Sequence, residues 1–117
     1  MKQQIQYCTT KDGVRIAYAA TGEGTPIVRT SLWLTHLQHD FTEPVWRHVM
    51  LGLARNHKFV RYDPRGEGMS QREVADISFE GWIRGLDAVV DALSLPRFAL
   101  FGCSQGVATA IAYAVKH

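Results

Sequence analysis

The chain has little of what marks the specialised protein classes. Its 117 residues include two cysteines, Cys8 and Cys103. They lie far apart and fit no metal-ligand spacing, so neither a metal centre nor a disulfide framework is indicated. Charge of one sign is not in excess, since 13 Lys and Arg against 11 Asp and Glu leave +2. The basic residues are scattered and form no stripe, which argues against nucleic acid and against an anionic membrane as partners. The first residues, Met1-Lys2-Gln3-Gln4-Ile5-Gln6, lack the apolar stretch of a secretory signal. Repeats and low-complexity segments are also missing. A reducing cytoplasm is the default location, and no cofactor is called for.

One uncharged run, Phe98 to Val115, resembles a membrane span in length. It divides into two periods. Phe98-Ala99-Leu100-Phe101 reads as a short buried strand, and the small residues from Val107 onward suit a helix packed on a sheet. Ser104-Gln105 between two glycines marks the break.

What is present is the composition of a soluble globular domain, 46% apolar and 21% charged, with length for one such unit. Gln4 to Cys8 reads as a strand, Lys11-Asp12-Gly13 as a turn and Val14 to Ala20 as a second strand. Thr21 to Pro26 is a loop rich in breakers, and Ile27 to Thr30 a third strand. Ser31 to Glu43 shows no clear period. Pro44 suits a first helical turn, followed by Val45, Trp46, Val49, Met50 and Leu53 at helical spacing. Lys58 to Tyr62 is a fourth strand. Ser78 is placed as an N-cap, and Phe79, Trp82, Ile83, Leu86, Val89, Val90 and Leu93 trace one core face of the next helix. Leu95-Pro96 ends it. Phe98 to Gly102 is the fifth strand, and Gln105 to Lys116 the last helix. This order predicts an α/β fold, a mostly parallel sheet with helices on both faces, led by a hairpin.

Gly102-Cys103-Ser104-Gln105-Gly106 stands between that last strand and helix. The spacing is that of a nucleophile elbow, a sharp turn that raises a serine hydroxyl above the end of a sheet. Such a turn strains the backbone at the serine, and glycines two before and two after remove side chains that would clash. A helix starting at Gln105 points its free N–H groups at the space beside Ser104, where the negative oxygen of a tetrahedral intermediate would sit. The Gln105 amide is then one oxyanion donor. A chance G-x-S-x-G is expected about 0.03 times in a chain this size. The alternative is an ordinary glycine-flanked turn in a parallel-sheet protein; Cys103, inside the elbow, is read as a buried thiol.

Three stretches resemble the N-terminal half of the α/β-hydrolase superfamily: Asp12 to Tyr18 with Gly22 to Pro26, Arg61 to Ser70 with its D-x-R-G-x-G-x-S pattern, and the elbow itself. Where that superfamily has a His-Gly pair after the third strand, this chain has Thr30-Ser31-Leu32-Trp33. Leu32 to Leu37 with Pro44-Val45-Trp46-Arg47 looks like a bacterial subgroup that often occurs beside LuxR-type or cyclase regulatory domains. The resemblance implies a truncated α/β-hydrolase fold of strands 1–5 and three helices, in sheet order 1-2-4-3-5. Residues 1–117 then form one partial domain without the cap and the C-terminal half. It implies a serine hydrolase acting on acyl esters or related small molecules, with Ser104 as nucleophile and the Trp33 amide as second oxyanion donor. The alternatives are a non-catalytic ligand-sensing or interaction module, or a truncated gene product.

In that superfamily the triad acid and histidine follow later strands, so this chain is expected to show little turnover alone. His117 lies 12 residues past Gln105, roughly 18 Å along a helix. His36 and His39, in the loop after the third strand, are possible site-edge residues. His48 and His57 belong to the first long helix and its end. Asp63, Arg65 and Glu67 are read as holding their loop, and Gly66-Glu67-Gly68 lacks the remainder of a phosphate-binding pattern. Without later strands, the apolar fifth strand is an exposed edge that invites self-association or a complementing C-terminal half.

Overall fold

Alternating burial along the strands sets the layers of the molecule. A computed structural model of the chain describes residues 3–31 and 35–117. Trp33 lies outside the described residues. Five strands form one sheet: β1 (Gln4–Thr9), β2 (Arg15–Thr21), β3 (Thr25–Arg29), β4 (His57–Tyr62) and β5 (Ala99–Phe101), in the order β1-β2-β4-β3-β5. β1 runs antiparallel to β2, and β2 antiparallel to β4. β3 runs parallel to both β4 and β5. Four strands therefore point one way and β2 alone points back, a mixed sheet with the order that the resemblance implies.

Side chains two apart share a face. Ile16 and Tyr18 of β2, Val28 of β3, and Val60 and Tyr62 of β4 pack with Leu86, Val89 and Val90 of helix α3 (Phe79–Leu93) and Tyr113 of α4 (Gly106–Lys116). The intervening residues face the other layer. There Phe59 meets Phe41 of α1 (Leu37–Thr42) and Met50 and Ala54 of α2 (Pro44–Ala54), while Ala17 and Ala19 meet Leu37. Burying a residue such as Leu86 or Val89 in this way contributes about 1.5–3 kcal/mol each.

Local signals explain the helix ends. Glu43 caps α2 by accepting from Val45 N, with Pro44 in the first turn. Ser78 accepts from Gly81 N at 3.1 Å and so caps α3, where the sequence places it. α3 stops at Ser94, whose φ of +51° is left-handed.

Some sequence expectations shift. α1 falls within Ser31 to Glu43, where no period was visible. It has six residues and starts from the unusual cap His36, whose Nδ1 accepts from His39 N at 3.2 Å. The helix count is therefore four among the described residues. β3 begins at Thr25 and so takes in Pro26, ahead of the Ile27 to Arg29 segment that pairs with β5. A missing N–H is tolerated there as at an edge. His57 opens β4 instead of ending a helix. On α3 the packed face is not Phe79–Trp82. Phe79 is exposed and Trp82 half-buried, while Gly81 and Gly85 are buried. A Cβ on Gly81 would lie 3.0 Å from Arg65 Nε, so the helix lies down on its glycine side and turns the aromatics toward the rim.

Arg65 closes this layer in the loop after β4. Its side chain is fully buried and forks onto Asp12, with Nη1–Oδ2 at 2.7 Å and Nη2–Oδ1 at 2.8 Å, and Nη1 also donates to Asp76 O. These bonds tie the β1–β2 turn to the loop after β4. Removing Asp12 takes the charged partner from a buried cation at a point open to solvent, so Asp12→Ala is expected to cost about 1–2 kcal/mol in urea unfolding. The hydrogen bond from Arg65, chiefly, holds the Asp12 carboxyl well below the usual carboxylate range. The pair's contribution is then complete above about pH 4 and fades as pH falls toward the lowered value. Asp12→Ala should flatten that acid limb. An unchanged acid limb in the variant would refute the assignment.

Candidate active site

Ser104 follows β5 and precedes α4, with φ of +54°. Only one other non-glycine residue among those described, Ser94, has a positive φ. A left-handed L-residue costs about 1–2 kcal/mol, so surrounding packing must hold it. The turn closes through Gly106 N to Cys103 O at 3.0 Å and Val107 N to Ser104 O at 3.1 Å. Gln105 is the cap residue of α4, one position ahead of its first helical residue. Its N–H meets no acceptor among the described residues, and neither does the Ser104 hydroxyl, which is exposed.

Thr30, at the end of β3, pins this turn. It is fully buried, donates its N–H to Phe101 O at 3.0 Å and donates its Oγ1 to Gly106 O at 2.6 Å. The approach leaves no room for a side chain at Gly106. A Cβ there would touch Thr30 Oγ1 and lie 2.8 Å from Ser31 O. At Gly102 a Cβ would lie 3.0 Å from Val107 Cα and 3.1 Å from Ala110 Cβ. Both glycines are thus required by close approach.

The loop after β4 serves as scaffold. Asp63 is fully buried. Its Oδ1 accepts from Thr35 Oγ1 at 2.9 Å, and its Oδ2 from Leu37 N at 3.1 Å and Met69 N at 2.8 Å. Gly68, at φ +55°, passes so close that a Cβ would touch this carboxylate. Ser70 Oγ donates to Asp63 O at 2.7 Å and accepts from Ala17 N at 2.8 Å. The D-x-R-G-x-G-x-S residues therefore stitch β2, β4 and α1 together below the site.

The other candidates divide. The rings of His36 and His39 lie against each other, with centroids 4.1 Å apart, and neither bonds Ser104. His117 instead stacks on Tyr113 and lies 3.4 Å from Asp87. His48 is on α2. Cys103 is exposed, contrary to the buried thiol expected, because the sharp turn lifts it out of the sheet together with Ser104. Sequence reading missed two buried arginines. Arg29 ends β3 and Arg61 lies next to it on β4, only 4% and 2% exposed. Neither strand alone marks its arginine as buried, since a charge beside apolar strand residues reads as surface.

No protein-family model matches the chain. Over 72 residues, 61% of this chain, it is 36% identical to 26% of the 2-hydroxy-6-oxo-2,4-heptadienoate hydrolase of Pseudomonas putida. It superposes on a Vigna radiata epoxide hydrolase with a TM-score of 0.82 at 20% identity, covering 99% of this chain and 35% of the other. The chain has the α/β-hydrolase fold. It also superposes on the esterase RhEst1 from a Rhodococcus species, with a TM-score of 0.80 at 28% identity, covering 97% of this chain and 41% of that one. These relatives and neighbours are hydrolases by name, as is an AB hydrolase superfamily protein of Bacillus subtilis that is 29% identical over 95% of this chain, and the chain spans about a quarter to two fifths of their lengths.

The strain at Ser104 has a measurable consequence. Glycine accepts a left-handed φ without cost whereas alanine does not. Ser104→Gly is therefore expected to be about 1 kcal/mol more stable than Ser104→Ala in urea unfolding. Equal stability of the two variants would show that the turn carries no such strain.

Proposed function

We propose that this chain carries the nucleophile half of a serine hydrolase of the α/β-hydrolase fold, acting on acyl esters or related small molecules. The observation that supports this best is the left-handed Ser104, held between two glycines that cannot bear a side chain. In this reading the Ser104 Oγ attacks a carbonyl carbon, and the proton passes to a base. The oxyanion that forms is met by the free N–H of Gln105, and the second donor that the resemblance implies is the Trp33 amide. The acid and histidine that would complete the relay come from residues outside these 117, which span only part of the length of the relatives. The match to an esterase at 28% identity agrees with ester chemistry.

A fluorophosphonate probe tests the nucleophile. Ser104 is expected to label slowly in the isolated chain, and Ser104→Ala not at all. Added imidazole, as a stand-in base, should speed labelling more at pH 8 than at pH 6, because the neutral ring is the active form. Labelling that stays absent with imidazole, in a chain shown to be folded, would remove the enzyme reading.

A second reading, a ligand-sensing module without turnover, is favoured by one observation: the His36 and His39 rings pack against each other, and Ser104 has no base bonded to it among the described residues. In either reading we propose that the open side of β5 receives further sheet, from a complementing segment or a second copy. Among the described residues β5 pairs only with β3, and α4 beside it exposes Val107, Ile111 and Val115. Unprotected apolar edges of this kind associate. Sedimentation velocity is expected to show concentration-dependent association that Ala99→Lys weakens, since a charged edge resists pairing. A monomer at all concentrations would count against it.

A further inference from the structure

Arg29 and Arg61 stand side by side. The β3–β4 register runs to Val28 opposite Val60, so the next pair is Arg29 and Arg61, on the face covered by α1 and α2. Both are at least nine-tenths buried. Arg61 uses Nη2, which donates to Gln3 Oε1 at 2.6 Å and Leu37 O at 3.1 Å. Its Nη1, and the Nε of Arg29, have no partner among the described residues. Neither guanidinium forms an ion pair with a described carboxylate. Arg65 is the contrast. It too leaves Nε unmet, but its terminal nitrogens are complete on Asp12 and Asp76 O.

The acids nearby are already engaged. Asp63 has both oxygens occupied, and the Asp40 Oδ2 accepts from His36 N at 3.1 Å. They balance the arginines' charge at a distance without meeting their donors. Trp46 lies with its ring centroid 5.8 Å from Arg29 Cζ, within cation–π reach. That contact serves the face of the guanidinium, whereas its N–H groups point from the edge. A buried N–H without a partner costs about 1–3 kcal/mol, and more on a charged group.

We propose that Arg29 and Arg61 form an internal anion site that binds the carboxylate group of a small organic acid. A planar carboxylate offers two oxygens to two N–H donors on strands about 4.8 Å apart. Asp40 and Asp63 make the surroundings unfavourable for a dianion, so a monoanionic carboxylate fits better than phosphate. Arg29 pairs in register with Phe101, three residues before Ser104, so the two arginines lie toward the same end of the sheet as the elbow. It does not depend on Ser104 being a nucleophile.

The test is thermal unfolding of the 117-residue chain while sodium formate replaces sodium gluconate, a far bulkier carboxylate, at constant ionic strength. Formate is expected to raise the melting temperature saturably. At tenfold excess over its Kd it multiplies the folding constant about elevenfold. Formamide, the neutral counterpart, should do nothing. Arg29→Met should be at least as stable as the parent in gluconate and should lose the formate response. No response of the parent, an equal response to formamide, or the same formate response in Arg29→Met would overturn the proposal. So would a variant that unfolds in gluconate, because Arg29 would then be satisfied within the chain. A second readout needs no variant: slowly exchanging Arg Nε–H cross-peaks of the 15N-labelled parent should shift with formate and not with formamide.

Discussion

Asp63 takes three donors from three places: the hydroxyl of Thr35, the first amide of α1 and the amide of Met69 beyond the β4 loop. A carboxylate with no exposed surface is tolerable only when its lone pairs are filled in this way. The segments that supply the donors are thereby drawn to one point, at the C-terminal end of β4. The approach of Gly68, the start of α1 and the bridge of Ser70 to β2 follow from that convergence. Above it, Thr30 fixes the elbow against β3. The upper connections of the sheet are thus held by polar groups, while its two faces are held by apolar ones.

Much of this could be read from the sequence, for identifiable reasons. The strands and the reach of α3 follow from strong periodicity and a clear cap at Ser78, whereas the strand order came only from the resemblance to α/β-hydrolases. The elbow was legible because its geometry admits few residues. α1 was not, since six residues give less than two turns of pattern and its cap is a histidine. The Phe79–Trp82 stripe misled because apolar spacing does not say which side of a helix comes nearest the sheet. The bare Cα of Gly81 contributes to that here, since a Cβ would press on the buried Arg65 side chain. Arg29 and Arg61 were overlooked because scattered basic residues read as surface, and only the register shows two of them meeting inside.

The arginines and the elbow also differ in what they ask of their surroundings. Ser104 is strained but exposed, so its cost is conformational and is offset by packing on Thr30 and Gly106. Arg29 is relaxed in backbone but poorly solvated. Burial pulls its guanidinium below the usual range, opposed by Asp40 and Asp63. Arg61 is lowered likewise, by burial first and then by the neighbouring Arg29.

The hydroxyl bond between Thr30 and Gly106 spans 76 positions of chain. Closing so long a loop has an entropic cost that is recovered only when β3 and β5 are already in register. The raised serine therefore depends on β5 being docked on β3. A partly folded chain has the helices and the hairpin within reach through local contacts, but it has no elbow, and its Ser104 is an ordinary flexible alcohol. Reactivity at this one position would thus report completion of the sheet, whichever chemistry the finished site performs.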